Sequence, residues 1–142
     1  METLPWLEYD GETTAELLAC GETHRVDSLV VAFEEAIMGK DEDAITPEER
    51  VVLAVEALER EVNHGGYVYF FDTASEFTPI IVEALHAIGA STAAALTAEA
   101  IRAAQGDDAL LEDCDQRYLD EVGDLSEELF AFIRAHAAQI QI

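Results

Sequence analysis

The chain has 142 residues, half of them apolar, with 31 acids against seven basic residues, a formal net charge of −24 and a mean hydropathy of +0.07. That apolar content separates it from disordered acidic tails and predicts a packed core in a single domain spanning residues 1–142. The basic residues Arg25, Lys40, Arg50, Arg60, Arg102, Arg117 and Arg134 are scattered singly, which argues against direct binding of nucleic acid or anionic lipid and makes a basic protein the expected partner.

In chain order, residues 1–21 read as an N-terminal arm, with Trp6, Leu7 and Tyr9 among acids, followed by a short helix over Thr14 to Cys20 ending at Gly21. Glu2 and Glu8 stand where a secretory leader would need basic residues, and no apolar run approaches the length of a membrane span. Two cysteines, Cys20 and Cys114, form no disulfide framework. A cytoplasmic protein is expected from these features.

Leu29, Val30, Phe33 and Ile37 recur at helical spacing over Val26 to Met38, with Gly39 as a stop. Thr46-Pro47-Glu48-Glu49 has the form of a capping box with proline at the first helical position, and Val51, Val55, Leu58 and Val62 give one apolar stripe before Gly65-Gly66. Tyr67 to Phe71 resembles a strand in composition but has no pairing partner, so it reads as a buried aromatic helix. Thr78-Pro79 predicts a further helix start, with Ile81, Leu85 and Ile88 as its stripe and Gly89 as its end. An alanine-rich helix follows from Ser91 to Gly106, then helices over Asp107 to Val122 and Ser126 to Ala138. The fold class expected is all-α, a compact array of six or seven helices.

Few constellations point to chemistry. Glu61…His64 and Glu83…His86 have the i, i+3 spacing of di-iron carboxylate bundles, but lie only 22 residues apart on neighbouring helices, without two further long helices to complete a site. A surface Glu beside a capping or surface His is the simpler reading. Ser28, Ser75, Ser91 and Ser126 lack a nucleophile-elbow context, and the chain has no phosphate-binding glycine loop. No enzymatic activity, catalytic residue, metal or cofactor is expected.

The acids are more informative. Asp107, Asp108, Glu112, Asp113, Asp115, Asp120, Glu121, Asp124, Glu127 and Glu128 are opposed only by Arg117, a net −9 over 22 residues. On a helix rising about 1.5 Å per residue, that is one net charge per ~3.7 Å, against roughly 3.4 Å per charge along one DNA strand. These ten acids are the candidate partner-binding face.

The stretch from Glu48 through Glu61-Val62-Asn63-His64-Gly65-Gly66-Tyr67-Val68-Tyr69-Phe70-Phe71-Asp72, followed by Ala84-Leu85-His86-Ala87-Ile88-Gly89-Ala90, resembles the DNA mimic protein 19-like domain family. The resemblance covers residues 46–105, with weaker support from Tyr118-Leu119-Asp120 and the terminal helix. It departs from the family pattern at Tyr69, where glutamine is common, and at Asp72, where asparagine is common. The resemblance implies an all-helical fold with Asn63, Gly65, Gly66, Tyr67, Phe70 and Phe71 as a structural signature. For the founding member it implies a dimer whose acids imitate DNA phosphates and occupy a DNA-binding protein.

The resulting expectation is an acidic binding protein, a DNA mimic that covers the basic surface of a DNA-binding protein. The alternative is a helical protein of another role whose acidity, with Lys40 its single lysine, reflects adaptation to high salt. A third and weaker alternative is a metal-binding or catalytic protein using Glu61, His64, Glu83 and His86. Trp6, Leu7, Tyr9 and the terminal Ile140-Gln141-Ile142 are candidates for a homodimer contact.

Overall fold

The computed structural model describes residues 3–142, and among them the chain forms seven α-helices and no strand. They divide into two compact units, one from residues up to Leu53 together with Ser126–Ile142, the other from Ala54–Leu125.

The first unit contains α1 (Thr14–Ala19), α2 (Val26–Met38), the opening turns of α3 (Pro47–Thr73), and α7 (Ser126–Ala135). A capping box starts α1: Thr13 Oγ1 accepts from Glu16 N, and the Glu16 carboxylate accepts from Thr13 N. The predicted stripe of α2 is realised in full, since Leu29, Val30, Phe33 and Ile37 are all buried and α2 packs against both α1 and α7. A second capping box starts α3, with Thr46 Oγ1 accepting from Glu49 N at 3.1 Å and Glu49 Oε1 from Thr46 N at 2.9 Å. The Glu49 carboxylate is wholly buried and pairs with Lys40.

The C-terminal tail is strapped to this unit by main-chain carbonyls. Thr14 Oγ1 donates to Ile140 O at 2.6 Å, Thr46 Oγ1 to Gln139 O at 2.8 Å, and Lys40 Nζ to Gln141 O at 2.6 Å. Ile140 is therefore buried, and so is Leu7, whose amide donates to Ser28 Oγ at 3.0 Å. Both are core residues here rather than exposed contact candidates, whereas Trp6 keeps 43% of its surface.

The second unit contains the rest of α3, α4 (Ile81–Ala87), α5 (Ser91–Ala103) and α6 (Asp108–Arg117), which continues into a π-helical turn over Tyr118–Val122. Within α3 the helical path breaks at Gly65 (φ −149°, ψ 16°) and Gly66 (φ 80°, ψ −178°), then resumes with Tyr67. The glycine pair ends one helical run as the sequence predicts, and the aromatic segment is helical. Buried Tyr67 and Phe70 and half-buried Phe71 form its inward face, Tyr67 meeting Tyr118 edge-on at 5.8 Å. The Tyr67 hydroxyl shares a 2.8 Å hydrogen bond with Thr97 Oγ1, so the buried phenol is satisfied.

Helix α4 begins at Ile81, later than Thr78-Pro79 suggests, because Thr78 already has helical dihedrals at the end of a 3₁₀ turn and caps nothing. The small side chains of α5 do allow close neighbours: Ala93, Ala94, Ala100 and Ala103 are buried, and α5 packs on both α4 and α6. No helix among the described residues is long and apolar enough to cross a membrane.

Candidate functional site

Helix α6 is built to face outward with acid. Asp107 caps it, its side chain accepting from Leu110 N at 3.0 Å, while Asp108 lies at the positive, N-terminal end of the helix dipole, where an acid is favoured, and Arg117 at the negative end. Leu111, Cys114 and Tyr118 point inward, and burial raises the Cys114 thiol pKa. With 3.6 residues per turn, that inward row leaves Asp108, Glu112, Asp113 and Gln116 on the solvent arc, all exposed. Asp108 and Glu112 have no ion-pair partner among the described residues. Leu119, 58% exposed, and Asp120 continue the surface into the π-helical turn, and Asp120 accepts from Gln116 at 3.1 Å.

The one cation of this segment is surrounded. Arg117 donates to Glu99 at 3.0 Å and Glu121 at 3.2 Å, with Asp113 at 3.6 Å. Its hydrogen bonds to Glu99 and then Glu121 raise the guanidinium pKa. Glu99 was not among the residues the sequence singled out, because it arrives from α5, 18 positions away.

The ten candidate acids do not all have the same duty. Asp115 is half-buried and turned toward the break in α3, where its Oδ1 accepts from Tyr67 N at 2.8 Å. Asp107 serves as a cap, Glu121 holds Arg117, and Asp124 is exposed beyond the π-helical turn. Glu127 and Glu128 are exposed on the first turn of α7, in the other unit.

Of the signature residues, Tyr67 and Phe70 are buried, and Asn63 and Gly66 make close contacts within the fold. Asn63 Nδ2 donates to Glu59 O at 2.6 Å, and Gly66 lies against Asp115 so closely that a Cβ there would be 2.6 Å from its Oδ2. Tyr69 and Asp72, where the sequence departs from the family pattern, are both exposed, with the Tyr69 ring 4.9 Å from that of His64.

Glu61 accepts from Arg60 at 2.9 Å and from the Thr73 hydroxyl at 3.1 Å. His64, Glu83 and His86 are exposed. Among the described residues no group of three or more His, Cys, Asp or Glu side chains is placed to hold a metal ion.

A family model described as DMP19-like protein matches residues 43–136, two thirds of the chain, and takes in the glycine break, the aromatic helix and all of α6. No curated protein and no solved structure gives a significant match.

Proposed function

The chain belongs to the DMP19-like protein family, and on that premise we propose that it is an acidic binding protein that covers the DNA-binding surface of a basic partner. The observation that carries this reading is the solvent arc of α6. Asp108, Glu112, Asp113 and Asp120 lie exposed on one segment, and the one basic residue of that segment, Arg117, is held by three carboxylates. A partner's lysines and arginines would meet carboxylates here, whose attraction steers association and weakens as salt screens it.

One observation favours high-salt adaptation instead: exposed acids also occur far from α6, at Asp10, Glu22, Glu42 and Glu76 among others. One comparison separates the two readings. DNA-binding protein captured from host lysate at low salt is challenged with duplex DNA, using wild type, an arc variant (Asp108→Asn, Glu112→Gln, Asp113→Asn, Asp120→Asn) and a control variant neutralised at Asp10, Glu22, Glu42 and Glu76. The mimic reading expects DNA to displace the partner and the arc variant to bind at least tenfold more weakly than the control variant. Failure of DNA to compete, or equal loss in the two variants, overturns it.

A further inference from the structure

The first unit holds an open cavity of about 680 Å³ between the N-terminal arm and α1, far from the α6 segment in sequence. Its lining has two chemical characters. Trp6, Leu7, Ala19 and Cys20 supply apolar surface, while Glu8, Glu12 and Glu16 supply three carboxylates; among the described residues His24 completes the lining, with neither Lys nor Arg in it.

The walls are fixed before any ligand arrives. The arm is tied down by Arg25 N donating to Pro5 O at 2.9 Å and Leu7 N to Ser28 Oγ at 3.0 Å. The Arg25 guanidinium sits 5.3 Å from the centre of the Trp6 ring, and its charge is matched by a two-point pair with Asp27 at 3.1 and 2.6 Å. Glu12 is held by Asp10 N at 2.8 Å and Glu16 by Thr13 N at 3.0 Å, so both carboxylates are anchored at the rim. Backbone hydrogen bonds also lower the Glu12 pKa, which keeps it charged at neutral pH. His24 is turned to Thr23 Oγ1 at 3.0 Å.

A fixed concave surface with an indole, an aliphatic wall and anchored carboxylates is complementary to a cation carried on an apolar chain. We propose that this cavity binds an alkylammonium or alkylguanidinium group, its hydrocarbon lying along Trp6, Leu7 and Ala19 and its charge met by Glu8, Glu12 and Glu16. The source is either a free aliphatic amine or a lysine or arginine side chain presented by another protein. The inference is independent of the α6 reading, because the two faces share no residue.

Trp6 is the only tryptophan in the chain, so its fluorescence reports the site directly. The probes are spermidine and a capped lysine-containing peptide, each titrated against wild type at low salt, with an uncharged acetylated analogue of each as control. A saturable change in Trp6 emission with spermidine assigns a free amine, and one with the peptide assigns a side chain. The variant Glu8→Gln/Glu12→Gln/Glu16→Gln keeps the hydrogen-bond acceptors that hold the arm and the α1 cap, and is expected to weaken binding more than tenfold. Ala19→Phe, which fills the cavity from an exposed position, is expected to abolish it and serves where the triple variant loses its helical circular dichroism. The α6 arc variant is expected to bind the probe as wild type does. The proposal is overturned if neither cation saturates, if the acetylated analogues bind equally, or if the arc variant loses as much affinity as the cavity variants.

Discussion

Replacing Gly66 by alanine tests the junction on which the second unit turns. Gly66 has φ 80° and ψ −178°, a conformation that only glycine adopts readily, and an added Cβ would stand 2.6 Å from Asp115 Oδ2 and 2.9 Å from its Cγ. Backbone strain of that kind costs about 1–3 kcal/mol. Displacing Asp115 also loosens its bond to Tyr67 N, and a hydrogen bond to a charged acceptor contributes about 1.5–3 kcal/mol. The expected loss is about 3–5 kcal/mol, read from urea unfolding followed by circular dichroism, with faster amide exchange at Tyr67. Gly89 provides the comparison: it has the same φ of 80°, but nothing lies within 4 Å of its added Cβ, so Gly89→Ala should cost only the left-handed penalty of about 1–2 kcal/mol. Combining Gly66→Ala with Asp115→Ala removes the collision and should cost less than the sum of the single changes. Equal losses at Gly66 and Gly89, or strict additivity in the double variant, would refute the claim that Asp115 dictates glycine at this position.

Two further perturbations follow from buried polar groups. Burial raises the pKa values of Tyr67 and Tyr118, the latter also facing Glu59, to which its hydroxyl donates at 2.5 Å. The unfolded chain therefore releases these protons first: their contribution is complete below pH ~10 and is lost as pH rises toward the folded values, at about 1.4 kcal/mol per pH unit for each tyrosine. Urea midpoints between about pH 10 and 11.5 should fall accordingly, with roughly half the slope in Tyr118→Phe; an unchanged slope in that variant contradicts the assignment. Lys40→Met strands the buried Glu49 carboxylate and releases Gln141 O, so a loss of about 3 kcal/mol is expected. Adding Glu49→Gln to Lys40→Met should restore part of that loss, since glutamine also closes the capping box; no recovery would mean that the ion pair is not what Lys40 supplies.

Much of the fold was legible where one local rule decided the outcome. The spacing of Leu29, Val30, Phe33 and Ile37 located α2, and the Thr46 to Glu49 capping box located the start of α3. Elements were misjudged where distant or neighbouring groups decided. Thr78-Pro79 has the composition of a helix start, yet the preceding 3₁₀ turn places Thr78 in helical dihedrals, where its hydroxyl cannot cap. Gly65-Gly66 ends one helical run and the aromatic helix follows at once, as read, but the sequence does not show that Asp115, 48 residues from Tyr67, accepts the amide that the break would leave unpaired. Leu7 and Ile140 read as exposed near the chain ends, and only the straps to Ser28 and Thr14 explain their burial.

The acidic segment follows the same logic and limits what its charge signifies. Counting acids from Asp107 to Glu128 treats ten carboxylates as equivalent, and the helical period alone identifies Asp108, Glu112 and Asp113 as the outward ones. The period does not show that Asp115 supports the glycine break or that Asp107 caps the helix. The family signature and the acidic segment are therefore mechanically joined, since Gly66 is glycine partly because Asp115 is there. A carboxylate at position 115 is required by the fold whatever the chain binds, so charge there carries no information about a partner. The functional reading rests on the exposed acids that take no part in the helix cap or the glycine break, Asp108, Glu112, Asp113 and Asp120, and binding that tracked Asp115 but not those four would measure folding rather than recognition.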